Sequence, residues 1–374
     1  MALTDIDGQR LGDSVSDKLG DRNLIINGAQ TIAQRGTSDT SASGQERFVT
    51  DRFLTGIVGT NSSVFAITQS TDAPTGFTHS LKWDCTTADS SLAVDHQSKI
   101  EHRIEGLNVA HLGWGTSNAQ TVTLSFYVKS NLTGNTQVAF NNSDNNRSYV
   151  STFTIDAANT WERKTLTVPG DTTGTWVTNN DIGLRLRWGT FGSDYQTSSV
   201  DQWNAGEFMS RDDSPINFSS STSDELYLTG VQLEVGNTAT PFQHEPYAKT
   251  LLKCMRYFQI IDGTVAGGAL VIGHGATRSS DNTHIQIPLG IALRDKPAAS
   301  VTNTIRIIQG GNSETGSSNS TTVGGVTPSV LTDNTNFNVT LNYNGNIGYS
   351  IPVNTGGISM QLNTPGTFRL DSEL

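Results

Sequence analysis

Hydrophobic and polar positions alternate with period two along most of the chain. The cleanest case is Gln120–Lys129, where Val122, Leu124, Phe126 and Val128 alternate with Thr121, Thr123, Ser125 and Tyr127. Glu225–Val235 (ELYLTGVQLEV) shows the same period. Tyr227, Thr229, Val231, Leu233 and Val235 fall on one face, and Leu226, Leu228, Gly230, Gln232 and Glu234 on the other. Further strands are predicted at Phe53–Val58, Val64–Ile67, His79–Thr86, Lys99–Val109, Gln137–Phe140, Tyr149–Ile155, Glu162–Val168 and Ile182–Trp188. A first strand over Asn23–Ile32, broken at Asn27-Gly28, precedes them, followed by a Ser/Thr/Gly-rich loop to about Glu46. Turn signals such as Asn141–Arg147 and Pro169-Gly170-Asp171 separate the runs. Short strands at this spacing predict a two-sheet jelly-roll sandwich.

The period changes once. Gly236 and Asn237 stop the last strand, and from Glu245 the apolar residues Tyr247, Leu251, Leu252, Met255 and Phe258 follow helical spacing. Pro246 suits the first helical turn. Strand character then returns at Tyr257–Ile261, Ala269–Gly273, Thr283–Ile287, Ala299–Ile307, Val339–Tyr343 and Ser350–Pro352, around a Gly/Ser/Asn/Thr loop at Gln309–Gly325. The expected organisation is all-β: an arm over 1–22, a jelly roll over 23–244, a linking helix over 245–258 and a second β-sandwich over 259–374. The stripe of Tyr247, Leu251, Met255 and Phe258 is expected to pack on its own sheet or against other subunits. In the arm, Leu11, Val15 and Leu19 fall four apart, while Gly12 and Gly20 oppose an isolated helix. A free leader and a docking arm that orders on a larger particle both fit that pattern.

Length and charge narrow the picture. The 374 residues allow two or three domains, and 37 glycines fit a turn-rich β protein. A net charge of −11 without any Lys/Arg run argues against a nucleic-acid partner. Two cysteines, Cys85 and Cys254, exclude a disulfide framework. One bridge between them stays open, with two free buried thiols the expectation. The N-terminus lacks the charged start and apolar core of a signal peptide, so synthesis in a cytoplasm is expected. No apolar run approaches membrane-spanning length, so no membrane insertion is expected.

Candidate chemistry favours binding over catalysis. The chain has no GxSxG, HExxH, P-loop or dinucleotide fingerprint, so no enzymatic activity and no cofactor are expected. His96, His102 and His111 sit among Asp95, Glu101 and Glu105, but a strand over Lys99–Val109 does not converge three or four ligands on a metal. The oxygens of Asn141–Asn146 fit either a bound Ca²⁺ or a solvated turn. Aromatic rings matter more, because the C–H face of a sugar stacks on a flat ring while its hydroxyls need fixed polar partners. Six tryptophans precede the helix. Trp83 is expected in the core. Trp114, between glycines in HLGWGTSN, is expected to be exposed. Trp188 and Trp203 bracket a loop with Asp194, Tyr195 and Gln202. The glycan-site candidates are therefore Trp188, Asp194, Tyr195, Trp203 and Trp114. Rings that pin a long loop or a subunit contact fit the same pattern.

Four stretches carry a resemblance: RNLIINGAQTIAQRGTS (Arg22–Ser38), VTLSFYVKS (Val122–Ser130), TWERKTLTVPGDTTGTW (Thr160–Trp176), and TGVQLEVG followed by ATPFQHEPY and CMRYF. In this order they resemble bacteriophage tail-fibre and related virion proteins, especially of marine phages, with a carbohydrate-binding-module-like jelly roll. Ile287–Ala298 is similar to an element after the helix of those proteins, with Leu289-Gly290 where Met-Arg often stands. The resemblance gives Trp161 a structural position. It implies a homotrimeric virion protein, docked through its N-terminal arm to a phage tail or adaptor protein. Its partner during adsorption would be host cell-surface polysaccharide or lipopolysaccharide. A capsid head fibre or decoration protein, a structural tail component without glycan contact, and an accessory module of a carbohydrate hydrolase are the alternatives.

Overall fold

The computed structural model describes residues 21–262 and, after them, 269–279, 282–302, 305–309, 320–323, 329–330, 338–344, 358–363 and 366–374. The chain divides into two compact units, Met1–Thr250 with Leu374, and Leu251–Glu373. Leu11, Val15 and Leu19, the stripe expected to dock the arm, lie outside the described residues.

The first unit contains β1 (Ser38–Ser41), β2 (Gln45–Phe48), β3 (Phe53–Val58), β4 (Val64–Ser70), β5 (Ser80–Thr87) and β6 (Gln97–Glu105). After a single helical turn at Gly106–Val109 come β7 (Val122–Ser130), β8 (Gly134–Asn141), β9 (Arg147–Ile155), β10 (Glu162–Val168) and β11 (Ile182–Phe191). Three short strands, β12 (Gln196–Thr197), β13 (Trp203–Ala205) and β14 (Ser210–Arg211), precede the long β15 (Glu225–Val235). One sheet runs β1-β4-β5-β15-β7-β10 and the other β13-β9-β8-β11-β6-β3-β2. Their inner faces meet: Phe126 of β7 packs edge-on to Trp188 of β11 at 5.8 Å and to Phe153 of β9 at 5.2 Å. Trp83 is fully buried, as expected, stacked on Phe65 at 3.8 Å. The predicted sandwich is present. Strands β1 and β2 were missed because they are short, polar edge strands in a stretch without apolar alternation.

Strand β15 departs from simple alternation. Thr229 pairs with Tyr127 and Gln232 with Ser125, so one extra residue is inserted at Gly230-Val231. Gly230 adopts φ +60°, and the bulge reverses which parity faces inward. Leu226 and Leu228 before it, and Val231 and Leu233 after it, are all buried. The two-face assignment made from the sequence is therefore corrected: both halves of the strand bury their leucines in the same core.

The predicted first strand is a strap instead. Asn27 and Gln30 have positive φ, which breaks a regular ladder. Where β5 leaves the edge of β15 after Leu228, the strap takes over. Leu24 N–H donates to the Leu233 carbonyl at 2.9 Å, and Val231 N–H donates to that of Gly28 at 3.0 Å. A Cβ on Gly28 would lie 2.0 Å from the Val231 oxygen, so only glycine permits this approach. The Asn23 side-chain oxygen accepts from Leu233 N–H at 3.1 Å and Ile25 N–H at 3.0 Å, and its amide donates to the Val231 carbonyl. Gln243 closes the clasp. Its Oε1 accepts from the N–H groups of Arg22 and Asn23, and its own N–H donates to Gln232 Oε1 at 2.8 Å.

Past the sandwich, α1 (Tyr247–Met255) buries Cys254 and Thr250, while Tyr247 is 63% exposed and Leu252 47%. Of the predicted stripe, Phe258 is buried, Leu251 and Met255 are half-buried, and Tyr247 faces solvent. The second unit adds β16 (Phe258–Asp262), β17 (Ala269–Ser279), β18 (Asn282–Pro288), β19 (Ala298–Thr302) and β20 (Ile305–Gln309). It ends with β21 (Ser320–Val323), β22 (Ser329–Val330), β23 (Asn338–Asn344), β24 (Ile358–Asn363) and β25 (Thr367–Asp371). They form sheets β16-β25-β19 and β21-β20-β24-β17-β18-β23-β22, again all-β. Ser350–Pro352 and most of Gln309–Gly325 lie outside the described residues. Cys85 and Cys254 are both buried and form no disulfide.

Replacing Asn23 by Ala leaves three main-chain groups of the clasp without their partners. The expected loss is about 2 kcal/mol of stability, read as a lower urea midpoint with an unchanged slope. An unchanged midpoint would show that the clasp contributes nothing.

Candidate functional site

Three loops bring tryptophans together at one end of the sandwich. Trp114 comes from the segment before β7, Trp176 from the β10–β11 connection, and Trp203 opens β13. Trp114 lies edge-on to Trp176 at 4.7 Å and to Trp203 at 5.3 Å, and Trp176 lies edge-on to Trp203 at 5.4 Å. Tyr149 of β9 backs Trp203 at 5.4 Å. Each indole N–H is tied to a carbonyl: Trp114 to Gln120 at 2.7 Å, Trp176 to Thr173 at 3.2 Å and Trp203 to Pro169 at 2.7 Å. Trp114 and Tyr149 are buried, whereas Trp176 and Trp203 keep part of their surface in solvent. The result is a pair of half-exposed rings whose orientation is fixed before any ligand arrives.

An ion pair holds the loop beneath Trp176. Arg147 grips Asp171 with two parallel bonds, Nε to Oδ2 at 2.7 Å and Nη2 to Oδ1 at 2.8 Å. Burial pushes the Asp171 carboxyl up, but the bonds from Arg147 and Thr173 outweigh it and hold the group below its ordinary range. Gly174, at φ +78°, leaves room for the Arg147 stem, which a Cβ would meet at 2.6 Å. The β8–β9 turn braces the other side, with Asn142 Nδ2 donating to the Thr175 carbonyl at 3.1 Å. In the same turn, Asn142 Oδ1 accepts from the N–H groups of Asn146 and Arg147, so that oxygen serves the turn's own backbone.

The site expected from the sequence is rearranged. Trp188 is 2% exposed and points into the sandwich, so it is not available to a glycan. Period two contained the signal: Trp188 is in phase with Leu184 and Leu186, both fully buried. Tyr195 packs with Phe191, Met209 and Ala139 in a satellite cluster, and Asp194 is exposed in the turn after β11. Neither converges with Trp203. Trp114, expected in solvent, is 8% exposed because its flanking turn folds onto β7. The residue missed was Trp176, whose half-exposure depends on the long-range Arg147–Asp171 pair. A separate cleft of about 80 Å³ lies against the clasp, lined by Asn23, Gly28, Phe242, Gln243, His244 and Glu245. Its size suits water better than a sugar ring.

Of the candidate histidines, His96 and His102 are buried and His111 is exposed. His96 is sealed among Asn61, Ser98 and Ser219, with Ser98 Oγ 3.0 Å from Nε2 and Asp89 Oδ2 3.8 Å from Nδ1. This Ser–His–Asp combination is closed to substrate, since Ser98 and His96 are both fully buried. Among the described residues, no group of three or more metal-ligating side chains is present.

No protein-family model matches the chain, and no curated protein matches it. Solved structures with some likeness include the enzymatically active domain of tailspike protein 4 of bacteriophage CBA120, at 11% identity and TM-score 0.29. The match covers 57% of this chain and 21% of that one. A CBM4 module matches at 13% identity and TM-score 0.29, over 57% of this chain and 99% of its own. TmCBM61 in complex with β-1,4-galactotriose matches at 7% identity and TM-score 0.28, over 58% of this chain and all of its own.

Two outcomes follow from the geometry. Asp171→Asn leaves Arg147 without its charge partner and costs about 3 kcal/mol. Freeing the loop also raises acrylamide quenching of tryptophan fluorescence; unchanged quenching would mean that the pair does not hold Trp176. The second concerns pH. Burial holds His96 below its ordinary range against the pull of Asp89 and Asp95, and burial with the Arg52 charge holds His102 well below it. Both take up a proton less readily in the folded chain than in the unfolded one, which protonates them near pH 6.5. Stability is therefore fully present above that pH and is lost as pH falls through it. His102→Gln is expected to flatten the loss between pH 7 and pH 5, and an identical slope would remove His102 as its source.

Proposed function

We propose that this chain is a bacteriophage virion protein, a trimeric tail fibre that binds glycan on the host surface during adsorption and catalyses no reaction. The observation that carries the reading is the pair of half-exposed rings, Trp176 and Trp203, held at fixed angles by Trp114, Tyr149 and three indole N–H bonds. Rings already ordered lose little entropy when a sugar face stacks on them. Polar groups fixed nearby, on Thr173, Thr175 and the Asn142–Asn146 turn, suit sugar hydroxyls.

The virion part of the proposal rests on the resemblance of Arg22–Ser38 and of the β15-to-α1 junction to tail-fibre proteins. These two stretches meet in the clasp, so they behave as one structural piece. In the proposal, the arm before residue 22 docks on a phage tail or adaptor protein, and the fibre is exposed on the particle. The exposed Tyr247 and Leu252 on α1 suit contact with other copies in a trimer. Avidity from three weak sites would supply the overall strength of attachment.

The test compares wild type with Trp176→Ala on intact host cells and on a panel of bacterial surface polysaccharides. Trp176 is the less packed of the two exposed rings, so the fold should survive, which circular dichroism checks. Binding is expected to weaken about tenfold or more. Equal binding of both proteins would remove the tryptophan cluster as the glycan site, and no binding by either would count against a receptor-binding fibre.

A further inference from the structure

The outer face of the second sheet carries charge where a sheet exposed to solvent would carry neutral polar groups. Register places Arg103 of β6 opposite Arg185 of β11, and Glu101 opposite Arg187. Lys99 follows on the same face. Like charges directly opposite each other repel, and a carboxylate between them is the usual remedy. Here one carboxylate serves all four cations. Glu101 Oε1 accepts from Arg103 Nε at 2.6 Å and Arg185 Nη1 at 2.9 Å, and Oε2 from Arg187 Nε and Lys99 Nζ, both at 3.1 Å. Glu101 is fully buried. Two further carboxylates stand at the rim: Glu46, 43% exposed, reaches Arg103 at 3.2 Å, and Glu207, 35% exposed, reaches Arg187 at 3.4 Å.

The four cations are not equally served. Arg187 also donates to Asn141, to Asn145 and towards the Met209 sulfur. Arg103 also donates to Glu46 and to a main-chain oxygen of Leu374. Arg185 reaches Glu101 through Nη1, while its Nε is buried and has no partner among the described residues. Its side chain is 14% exposed, which keeps a path to solvent. Burial holds Arg185 and Lys99 below their ordinary values in spite of Glu101, and the Arg187 charge adds to the effect on both. Negative charge is in short supply at Arg185, in a chain whose net charge is −11.

We propose that Arg185, flanked by Arg103 and backed by Glu101, binds an anionic group of the glycan, the carboxylate of a hexuronic acid or a sulfate ester. This rests on the glycan-binding reading and names the class of sugar. An oxyanion matches the fork of a guanidinium, and one that enters past the exposed part of the Arg185 side chain would supply the acceptor that the buried Nε lacks. The position also connects with the tryptophan cluster. The β8–β9 turn reaches both, through Asn142 to the Thr175 carbonyl beside Trp176 and through Asn145 to Arg187. One acidic oligosaccharide would then lay a neutral ring on the tryptophans and its charged ring at Arg185.

The experiment titrates trigalacturonate, its methyl ester and sulfated galactotriose into wild type, Arg185→Gln, Arg185→Lys and Trp176→Ala, by calorimetry and thermal shift. Wild type is expected to bind trigalacturonate about tenfold tighter than the neutral ester, and Arg185→Gln is expected to abolish the difference. The acid and sulfate arms show which anion the site prefers. Equal affinity for acid and ester, or an unchanged preference in Arg185→Gln, overturns the proposal. Arg185→Lys keeps the charge without the fork and should retain only part of the preference; full retention overturns the role given to Nε. Should Arg185→Gln fail to fold, the wild-type salt dependence decides, because screening weakens acid binding but not ester binding. Neutral sugars bound through Trp176 with no acidic preference would sink this inference alone. An anion preference that needs Arg185 but ignores Trp176→Ala would instead sink the tryptophan site.

Discussion

The backbone of β15 is the member on which the first unit depends. It pairs with β7 along its length, but with β5 only as far as Leu228. Beyond that point its other edge would be a row of unpaired N–H and C=O groups within a packed sandwich, each costly if left unmet. The strap meets that need from far earlier in the chain, Asn23 lying 210 positions before Leu233. Asn23 and Gln243 lie 220 positions apart, yet one amide oxygen joins them. The chain must close this long loop before the edge is satisfied, so the clasp constrains the topology as well as the stability.

The same clasp explains why two distant stretches read as a matched pair in the sequence. Asn23, Gly28, Gln232 and Gln243 are neither core nor solvated surface. They are main-chain partners whose identities are set by one another. Gly28 is required by the Val231 oxygen, and Gln232 by the Gln243 N–H. A polar residue bonded to backbone across such a distance leaves no periodic trace, so its role emerges only when both ends of the clasp are seen together.

Strand existence was largely legible because most strands bury one face, and period two survives wherever that holds. Phe53–Val58, Glu162–Val168 and Glu225–Val235 were read with the bounds observed. What failed were local departures from the period. The bulge at Gly230 turned the second half of β15 over, and a glycine inside a strand was the available warning. Trp188 differs for the opposite reason: its ring suits a sugar face, but its phase with Leu184 and Leu186 puts it in the core. The Trp114–Trp176–Trp203 cluster was only half legible. Its rings come from three connections with no shared period, and their convergence depends on Arg147 and Asp171, which are 24 positions apart.

The phase that turns Trp188 into the core puts Arg185 and Arg187 on the outer face of the sheet, and these two belong to its energetics as much as to its pattern. Burying five charged groups on one face is a poor route to stability, since an apolar face of equal volume would fold at least as well. Glu101 is held well below its ordinary range by four cations that outweigh its burial, so it stays ionised throughout the physiological range. The cations remain as an excess that this carboxylate cannot balance. A face that folds at such electrostatic expense, on an acidic chain and one turn away from ordered tryptophans, fits the proposed role in binding an anionic sugar better than a role in stability.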